Sequence, residues 1–312
     1  MTSMPTKVYS PYLDKEHEAK KGSVKREHEN KETEARETVK ATSKIKVVLP
    51  PGIHATAGGI TFPVSTSHYT EKTKERLDEI LRNYSIDRAV IIAGGGALPL
   101  ETISKLRENN PSISEVNCVD IDPNALMNLK NIIDIYNSSK SNEDYIEKIT
   151  KYVHQYDGKK YSRKQIDRWL DMGIRKDGKP DIKGDIELKL INSEIEEFIA
   201  GIKDKGKYFI DLSNTVNYIW NFLHKMPWTS IAESKKILDS IIENQNISDG
   251  SVVYISNYRK PPLILIKENG KLYQTDPNNL EQNKEKSPLS IVIGLTLDML
   301  YYFAFIYPKE KM

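Results

Sequence analysis

A run of four apolar residues that leads into three consecutive glycines constrains this chain more than any other feature. Residues 89–92 read Ala-Val-Ile-Ile, which predicts a strand buried on both faces of a parallel sheet. The glycines at 94–96 follow, and apolar spacing then predicts a helix from about Glu101 to Asn109. Such a turn lets a ligand approach the backbone closely and presents free N–H groups at the positive end of the helix. The sequence therefore predicts a ligand-binding turn.

A second strand and an acidic residue follow this turn. Residues 115–119 predict a strand that ends on Asp120, and Asp122 followed by Pro123 predicts the N-cap and first position of another helix. Cys118 lies inside this strand, where it is expected to be a small core residue. The order of strand, turn, helix, strand and helix is a βαβ unit, which predicts an α/β fold with a mostly parallel sheet.

The rest of the chain repeats the α/β rhythm after one interruption. Further strands are predicted at 186–191, 207–211 and 251–255, with helices at 194–202 and 217–244, the second interrupted at Pro227. Residues 263–273 predict a β-hairpin, because Asn269-Gly270 between apolar runs is typical of a tight turn. The sequence thus predicts a mostly parallel sheet with a C-terminal β-hairpin.

The charge distribution divides the chain into an N-terminal arm, an insertion and a remaining domain. Residues 1–44 alternate charges and contain few apolar side chains, which predicts a frayed helix or a disordered arm. Residues 138–184 contain twelve basic and eight acidic side chains, and we interpret them as a helical insertion, either a lid or part of a substrate-binding region. The remaining segments, 45–137 and 185–312, are expected to form the cofactor-binding domain.

Composition excludes several classes of protein. One cysteine rules out a disulfide framework, and the six histidines show no metal-ligand spacing, so no metal site is predicted. A net charge of +2 disfavours a DNA-binding protein, although the basic insertion leaves RNA binding open. No signal peptide is recognised, and the apolar stretch 289–307 contains Asp298 near its middle. We expect a cytoplasmic protein without stable membrane insertion, whose C-terminal stretch forms a buried helix or strand pair.

Two common classes of nucleotide site fit the glycine turn poorly. A dinucleotide fingerprint requires a third glycine where Pro99 stands, and a phosphate-binding P-loop requires a Gly-Lys-Ser/Thr ending that is absent. S-adenosylmethionine (SAM) enzymes tolerate a looser turn and place an acid at the end of the second strand. The two oxygens of such an acid can accept hydrogen bonds from both ribose hydroxyls, and Asp120 occupies that position.

With this turn, acid and strand order, the stretch from about Thr70 to Tyr273 resembles the Rossmann-like fold of class I SAM-dependent methyltransferases. The resemblance implies SAM as cofactor, with these binding residues: Gly94, Gly95, Gly96, Asp120, Ile121, Asn192, Ser193 and Asp211. It also points to Asp211, Asn214 and Tyr218 as catalytic candidates, with Asp211 the base that an amine acceptor would need. The chain departs from the pattern at Ile92-Ala93, where an acid often precedes the first glycine.

A narrower resemblance concerns the glycine turn itself. Residues 94–103 are similar to the Gly-x-Gly-Pro-Leu-Pro-Leu-Thr-Ser run of nicotianamine synthases, and residues 119–122 also suit that family. Those enzymes transfer the 3-amino-3-carboxypropyl arm of SAM rather than its methyl group. The sequence therefore leaves methyl and aminocarboxypropyl transfer to a small, amine-bearing acceptor as open alternatives. An RNA-modifying transferase and a non-catalytic SAM-binding or scaffold protein are the remaining interpretations, and the oligomeric state is not indicated.

Overall fold

The structure is a computed structural model that describes residues 44–52, 71–94, 98–155, 157, 162–172, 174–213, 227–257, 260–275 and 284–301. Its strands are β1 (Ile45–Val48), β2 (Arg88–Ile92), β3 (Glu115–Asp120), β4 (Ile186–Asn192), β5 (Tyr208–Ser213), β6 (Val252–Asn257), β7 (Lys260–Glu268), β8 (Lys271–Gln274) and β9 (Lys284–Lys286). The helices are α1 (Glu71–Asn83), α2 (Leu98–Asn109), α3 (Pro123–Ser138), α4 (Asn142–His154), α5 (Arg163–Met172), α6 (Ile174–Asp177), α7 (Ile195–Ala200), α8 (Pro227–Glu243) and α9 (Pro288–Tyr301).

The described strands form one sheet in the order β1-β4-β3-β2-β5-β6-β7-β8-β9. The pairs from β1 to β6 are parallel, and the pairs from β6 to β9 are antiparallel. Strands β2, β3 and β4 extend the sheet in one direction, whereas β5 and β6 extend it in the other. The chain therefore reverses direction between β2 and β5, which is the switch point of a doubly wound sheet. The prediction of an α/β fold with a mostly parallel sheet is confirmed.

The central strands are buried on both faces, as their continuous apolar runs predict. Ile91 and Cys118 are in-register neighbours on β2 and β3, and both belong to the core on one face. Val90 and Val119 belong to a second core on the opposite face. Helices α1 to α6 contribute buried side chains to the first core, and helices α7, α8 and α9 contribute to the second. The sheet thus separates two helical layers.

The predicted hairpin is formed by β7 and β8. Asn269 and Gly270 connect the two strands, with φ angles of 50° and 68°. Two successive positive φ values characterise the turn type whose twist matches that of the paired strands, and asparagine and glycine adopt it most readily. The hairpin prediction from the Asn-Gly dipeptide is therefore confirmed.

Two predicted boundaries are wrong. Helix α2 begins at Leu98 rather than near Glu101, because Pro99 fits the first turn, where a backbone N–H has no intrahelical partner. Strand β5 does not end on Asp211 but continues to Ser213, with an irregularity in its pairing to β6 between these two residues. Asp211 therefore lies inside the strand.

Helices α4 to α6 occupy the segment interpreted as an insertion. Tyr145, Ile149 and Val153 recur every four residues along α4 and are fully buried. Ile166 and Leu170 of α5 are also fully buried in the same core as helices α2 and α3. The helical content is as predicted, and its assignment as a lid or substrate-binding region stays a prediction.

The apolar C-terminal stretch forms helix α9, which is only partly buried. Ile291 and Val292 pack into the second core, whereas Leu289, Ile293 and Leu297 are exposed. The prediction of a buried terminal element is therefore correct for one side of the helix only. Among the helices in the described ranges, none has the length and apolarity required to cross a bilayer. The charged segment 1–43 lies outside those ranges.

Candidate functional site

The carboxyl ends of three neighbouring parallel strands meet at one edge of the sheet. Gly94 follows β2, Asp120 is the last residue of β3, and Asn192 is the last residue of β4 and pairs directly with Asp120. The backbone N–H of Gly94 donates to Oδ2 of Asp120 at 2.8 Å. The edge beside a switch point is where open α/β sheets bind ligands. Three of the predicted site residues are therefore together at this edge.

Gly94 is required for its backbone conformation. Its φ is +44°, in the left-handed region that residues with a Cβ atom disfavour. Among the described residues, a Cβ added here would meet the carbonyl oxygen and a side-chain carbon of Ile92, at 3.7 and 3.8 Å. These are ordinary van der Waals distances, so strain rather than lack of space explains the glycine.

The carboxylate of Asp120 is half-buried and oriented by the backbone. In addition to the bond from Gly94, its Oδ1 accepts a hydrogen bond from the backbone N–H of Asp122 at 2.9 Å. Burial raises the pKa of Asp120, and the negative charge of Asp122 raises it further. The N–H groups of Asp122, Gly94 and Ile121 lower that pKa, but the desolvation is larger than any one of these effects.

Asp122 has a local role that the sequence predicts. Its Oδ1 accepts a hydrogen bond from the backbone N–H of Asn124 at 2.8 Å, which caps helix α3. Pro123 occupies the first position of that helix. The cap fixes the direction in which the chain leaves Asp120.

Asn192 and Ser193 support the turn after β3. The side-chain amide of Asn192 donates to the carbonyl oxygens of Asp120 and Ile121, at 3.0 and 2.9 Å. The backbone N–H of Ser193 also donates to the carbonyl of Asp120, at 3.3 Å. Ile121 itself is 66% exposed, which is unusual for an isoleucine held in a fixed turn. These contacts hold an aliphatic side chain in solvent beside the Asp120 carboxylate.

Asp211 lies apart from this edge, in the interior. Its side chain is fully buried, and its Oδ2 is 3.5 Å from the hydroxyl of Thr102 on helix α2. Along the sheet, Asp211 is in register with Ile91 on β2 and Tyr254 on β6. Since residues in register point to the same face, its carboxylate belongs to the layer beneath α2. The structure places the predicted base under the helix that follows the glycine turn.

Asp211 affects the pKa of two buried side chains near it. Burial raises the pKa of the Cys118 thiol and of the Tyr254 hydroxyl, and the charge of Asp211 raises both further. Cys118 is therefore held as a neutral thiol, which agrees with its predicted role as a core residue. No local pattern predicts that Thr102 lies near Asp211, because their contact joins residues 109 positions apart.

Four predicted site residues lie outside the described residues, namely Gly95, Gly96, Asn214 and Tyr218. In the part of the chain that the structure covers, no group of three His, Cys, Asp or Glu side chains is arranged to hold a metal ion. His154, which is within that part, has its Nε2 2.9 Å from Oδ1 of Asp167.

No protein-family model matches the chain, and no curated protein matches it. Among solved structures, the rRNA methyltransferase aviRa from Streptomyces viridochromogenes is similar at 14% sequence identity and a TM-score of 0.31. The likeness covers 68% of this chain and 81% of that protein. At this TM-score it does not establish a shared activity.

Proposed function

We propose that this chain binds SAM at the edge formed by Gly94, Asp120 and Ile121, and that it transfers a group from SAM to a small molecule. The observation that carries the proposal is the Asp120 carboxylate, held by two backbone N–H groups at the carboxyl end of β3. It lies next to the glycine turn and beside the switch point of the sheet.

The residues at this edge fit the cofactor. A carboxylate has about four lone-pair positions, so the two hydrogen bonds from Gly94 and Asp122 leave room for ribose hydroxyls. Ile121 adds an exposed aliphatic surface next to that carboxylate, on which a flat, weakly polar purine ring can pack. The side-chain amide of Asn192 donates to the backbone carbonyls of Asp120 and Ile121, and it thereby holds the carboxylate and the aliphatic side chain in a fixed arrangement.

When bound, SAM supplies a sulfonium whose attached carbons are electrophilic. The protein then provides orientation and a path for the proton. The acceptor nitrogen forms a bond to one of those carbons, the carbon–sulfur bond breaks with its electrons on sulfur, and the nitrogen loses a proton. We propose Asp211 as the final acceptor of that proton. Asp211 and Thr102 are both fully buried, and the Thr102 hydroxyl donates to Oδ2 of Asp211 at 3.5 Å, so a proton from the acceptor would reach this pair through further groups.

Methyl transfer and aminocarboxypropyl transfer both remain within this proposal. Residues 138–184 carry the basic side chains that leave RNA binding open. Their pairing helps to decide whether the acceptor is RNA or a small molecule. Among its described basic side chains, Lys148 pairs with Asp144, and Arg175 pairs with Asp167 and Asp171. Basic groups engaged in this way contribute less to phosphate binding than free ones, which favours a small acceptor over RNA.

Calorimetric titration with SAM tests the binding step. We expect Asp120→Ala to weaken SAM binding by about tenfold or more, since two charge-assisted hydrogen bonds are lost. Asp134→Ala, on the exposed side of α3, is the matched control and should leave the affinity unchanged. Absence of SAM binding by the wild-type chain, or equal binding by the Asp120 variant, would contradict the proposal.

Product analysis distinguishes the two reactions. The chain is incubated with SAM and cell extract, and the nucleoside product is identified. S-adenosylhomocysteine indicates methyl transfer, and methylthioadenosine indicates transfer of the aminocarboxypropyl arm. SAM binding without either product would instead indicate a non-catalytic SAM-binding protein. RNA affinity that falls steeply with salt would indicate the RNA-modifying alternative.

A further inference from the structure

Helix α9 has an apolar stripe on its exposed side, formed by Leu289, Ile293 and Leu297. The three side chains are 45%, 42% and 59% exposed, whereas Ile291 and Val292 of the same helix are buried in the second core. Because they recur every four residues, they lie along one side of the helix over about 12 Å. Single exposed apolar residues are common, but a continuous exposed stripe marks a contact surface. We call these three residues the α9 stripe.

Two hydroxyl groups of helix α9 are already hydrogen-bonded within the chain. The hydroxyl of Ser290 donates to the carbonyl of Ser287, and that of Thr296 donates to the carbonyl of Val292, both at 2.8 Å. A second apolar surface can therefore cover the α9 stripe without leaving these donors buried and unpaired.

The two ends of helix α9 carry charges of opposite sign, in the order that the dipole of the helix disfavours. Lys284 and Lys286 precede the helix, at its positive end, and Asp298 lies in its last turn, at its negative end. Asp298 also has an interaction within its own chain. A neighbouring helix that runs antiparallel would place its negative end beside the lysines and its positive end beside Asp298. The charges therefore favour an antiparallel neighbour.

We propose that the α9 stripe binds the α9 stripe of a second copy of this chain, with the two helices antiparallel about a two-fold axis at Ile293. In this arrangement Leu289 of each copy lies opposite Leu297 of the other, because both are four residues from Ile293. The surface requires a neighbour with an apolar stripe of the same length and with the charges reversed from end to end. A second copy turned by 180° provides both.

The α9 stripe is short, so the dimer is expected to be weak. Stable interfaces bury about 1,200–2,000 Å² in total, and a contact built on three partly exposed side chains is smaller than that. We therefore expect a dimer that dissociates on dilution. The inference does not depend on the proposed function, because the stripe contains none of the candidate SAM-binding residues.

Sedimentation velocity of the full chain, at concentrations from about 1 to about 200 µM, tests the association. The wild type should change from monomer to dimer as its concentration rises. Ile293→Lys should raise the dissociation constant by about tenfold or more, because the two copies of this side chain meet at the axis and like charges repel. Val48→Lys is the matched control, since Val48 is 37% exposed at the end of β1, and it should associate as the wild type does.

Cysteine cross-linking tests the antiparallel register. Ile293→Cys should form a disulfide-linked dimer on mild oxidation, because the side chain faces its own copy. Leu289→Cys alone should not, whereas Leu289→Cys combined with Leu297→Cys should. The native Cys118 is fully buried and is not expected to interfere. Equal cross-linking of the two single variants would overturn the proposed register.

Three other results would overturn the inference. The first is a wild-type chain that is monomeric at every concentration, or an Ile293→Lys variant that dimerises as the wild type does. The second is a monomer that co-sediments with phosphatidylcholine vesicles, which would show that lipid covers the stripe. The third is a lower Tm for Ile293→Lys at concentrations where the wild type is monomeric, which would show that the chain itself covers it.

Discussion

The backbone N–H of Gly94 donates to Oδ2 of Asp120 at 2.8 Å, and this bond joins the ends of strands β2 and β3. The backbone conformation of Gly94 and the orientation of the Asp120 carboxylate therefore depend on each other. Because the two residues are in contact, the effects of substituting both should not be additive.

Substitution of Gly94 should destabilise the chain through its backbone. At a φ of +44°, alanine is strained, and we expect Gly94→Ala to lower the free energy of unfolding by about 1–2 kcal/mol. Gly294 in helix α9 is the control, because a Cβ there meets no atom of the described residues within 4 Å. Gly294→Ala should stabilise the chain by about 0.5–1 kcal/mol. Urea denaturation measures both, and two substitutions of the same sign would contradict this explanation.

Loss of the α3 cap should reduce stability. Asp122→Ala removes the acceptor for the N–H of Asn124, and we expect a loss of about 1 kcal/mol in the free energy of unfolding. Asp122→Asn keeps an acceptor oxygen and should recover most of the loss. Equal destabilisation by the two variants in denaturant titrations would show that charge, not capping, is responsible.

Stability should depend on pH through Asp120. Its pKa is raised in the folded chain above the ordinary value of 3.8, so the folded state holds this proton more tightly than the unfolded state. The contribution of Asp120 is therefore fully present below pH 3.8 and is lost as pH rises through the raised folded pKa. Asp120→Asn should remove this loss of stability with rising pH. Urea titrations across that pH range check it, and an identical profile for both proteins would contradict the prediction.

Lys267 should stabilise the end of helix α8. Its side chain is almost fully buried in β7, and Nζ donates to the carbonyls of Ile241 and Asn244 at 2.7 and 2.8 Å. Lys267→Met leaves both carbonyls without this donor, and we expect a loss of about 1–3 kcal/mol in the free energy of unfolding. Lys271→Met, at an exposed position paired with Glu285, should have little effect in the same denaturation measurement.

Local patterns in the sequence predict the elements around the site. The apolar run from Ala89 to Ile92 predicts β2, and Asp122 predicts the start of α3. The Asn269-Gly270 dipeptide predicts the hairpin. Each of these signals acts over a few residues. The placement of Gly94 beside Asp120 follows from the order of strands in a βαβ unit. These features need no knowledge of distant contacts.

Features that depend on distant contacts were not predictable. Asp211 looks like the end of a strand, but burial of Leu212 and pairing with β6 continue β5 beyond it. The largely apolar sequence of α9 does not distinguish its buried side from the exposed side at Ile293. The four-residue spacing of Tyr145 and Ile149 was an available signal for a buried helix face.

The pairing of β1 with β4 has a consequence for the order of folding. Ile45 aligns with Ile186, so the first described strand finds its neighbour 141 positions later in the chain. Closing so long a loop is slow compared with forming a local helix or hairpin. During synthesis, β1 must remain without its neighbour until β4 has left the ribosome, and in that interval its free edge is available to other chains.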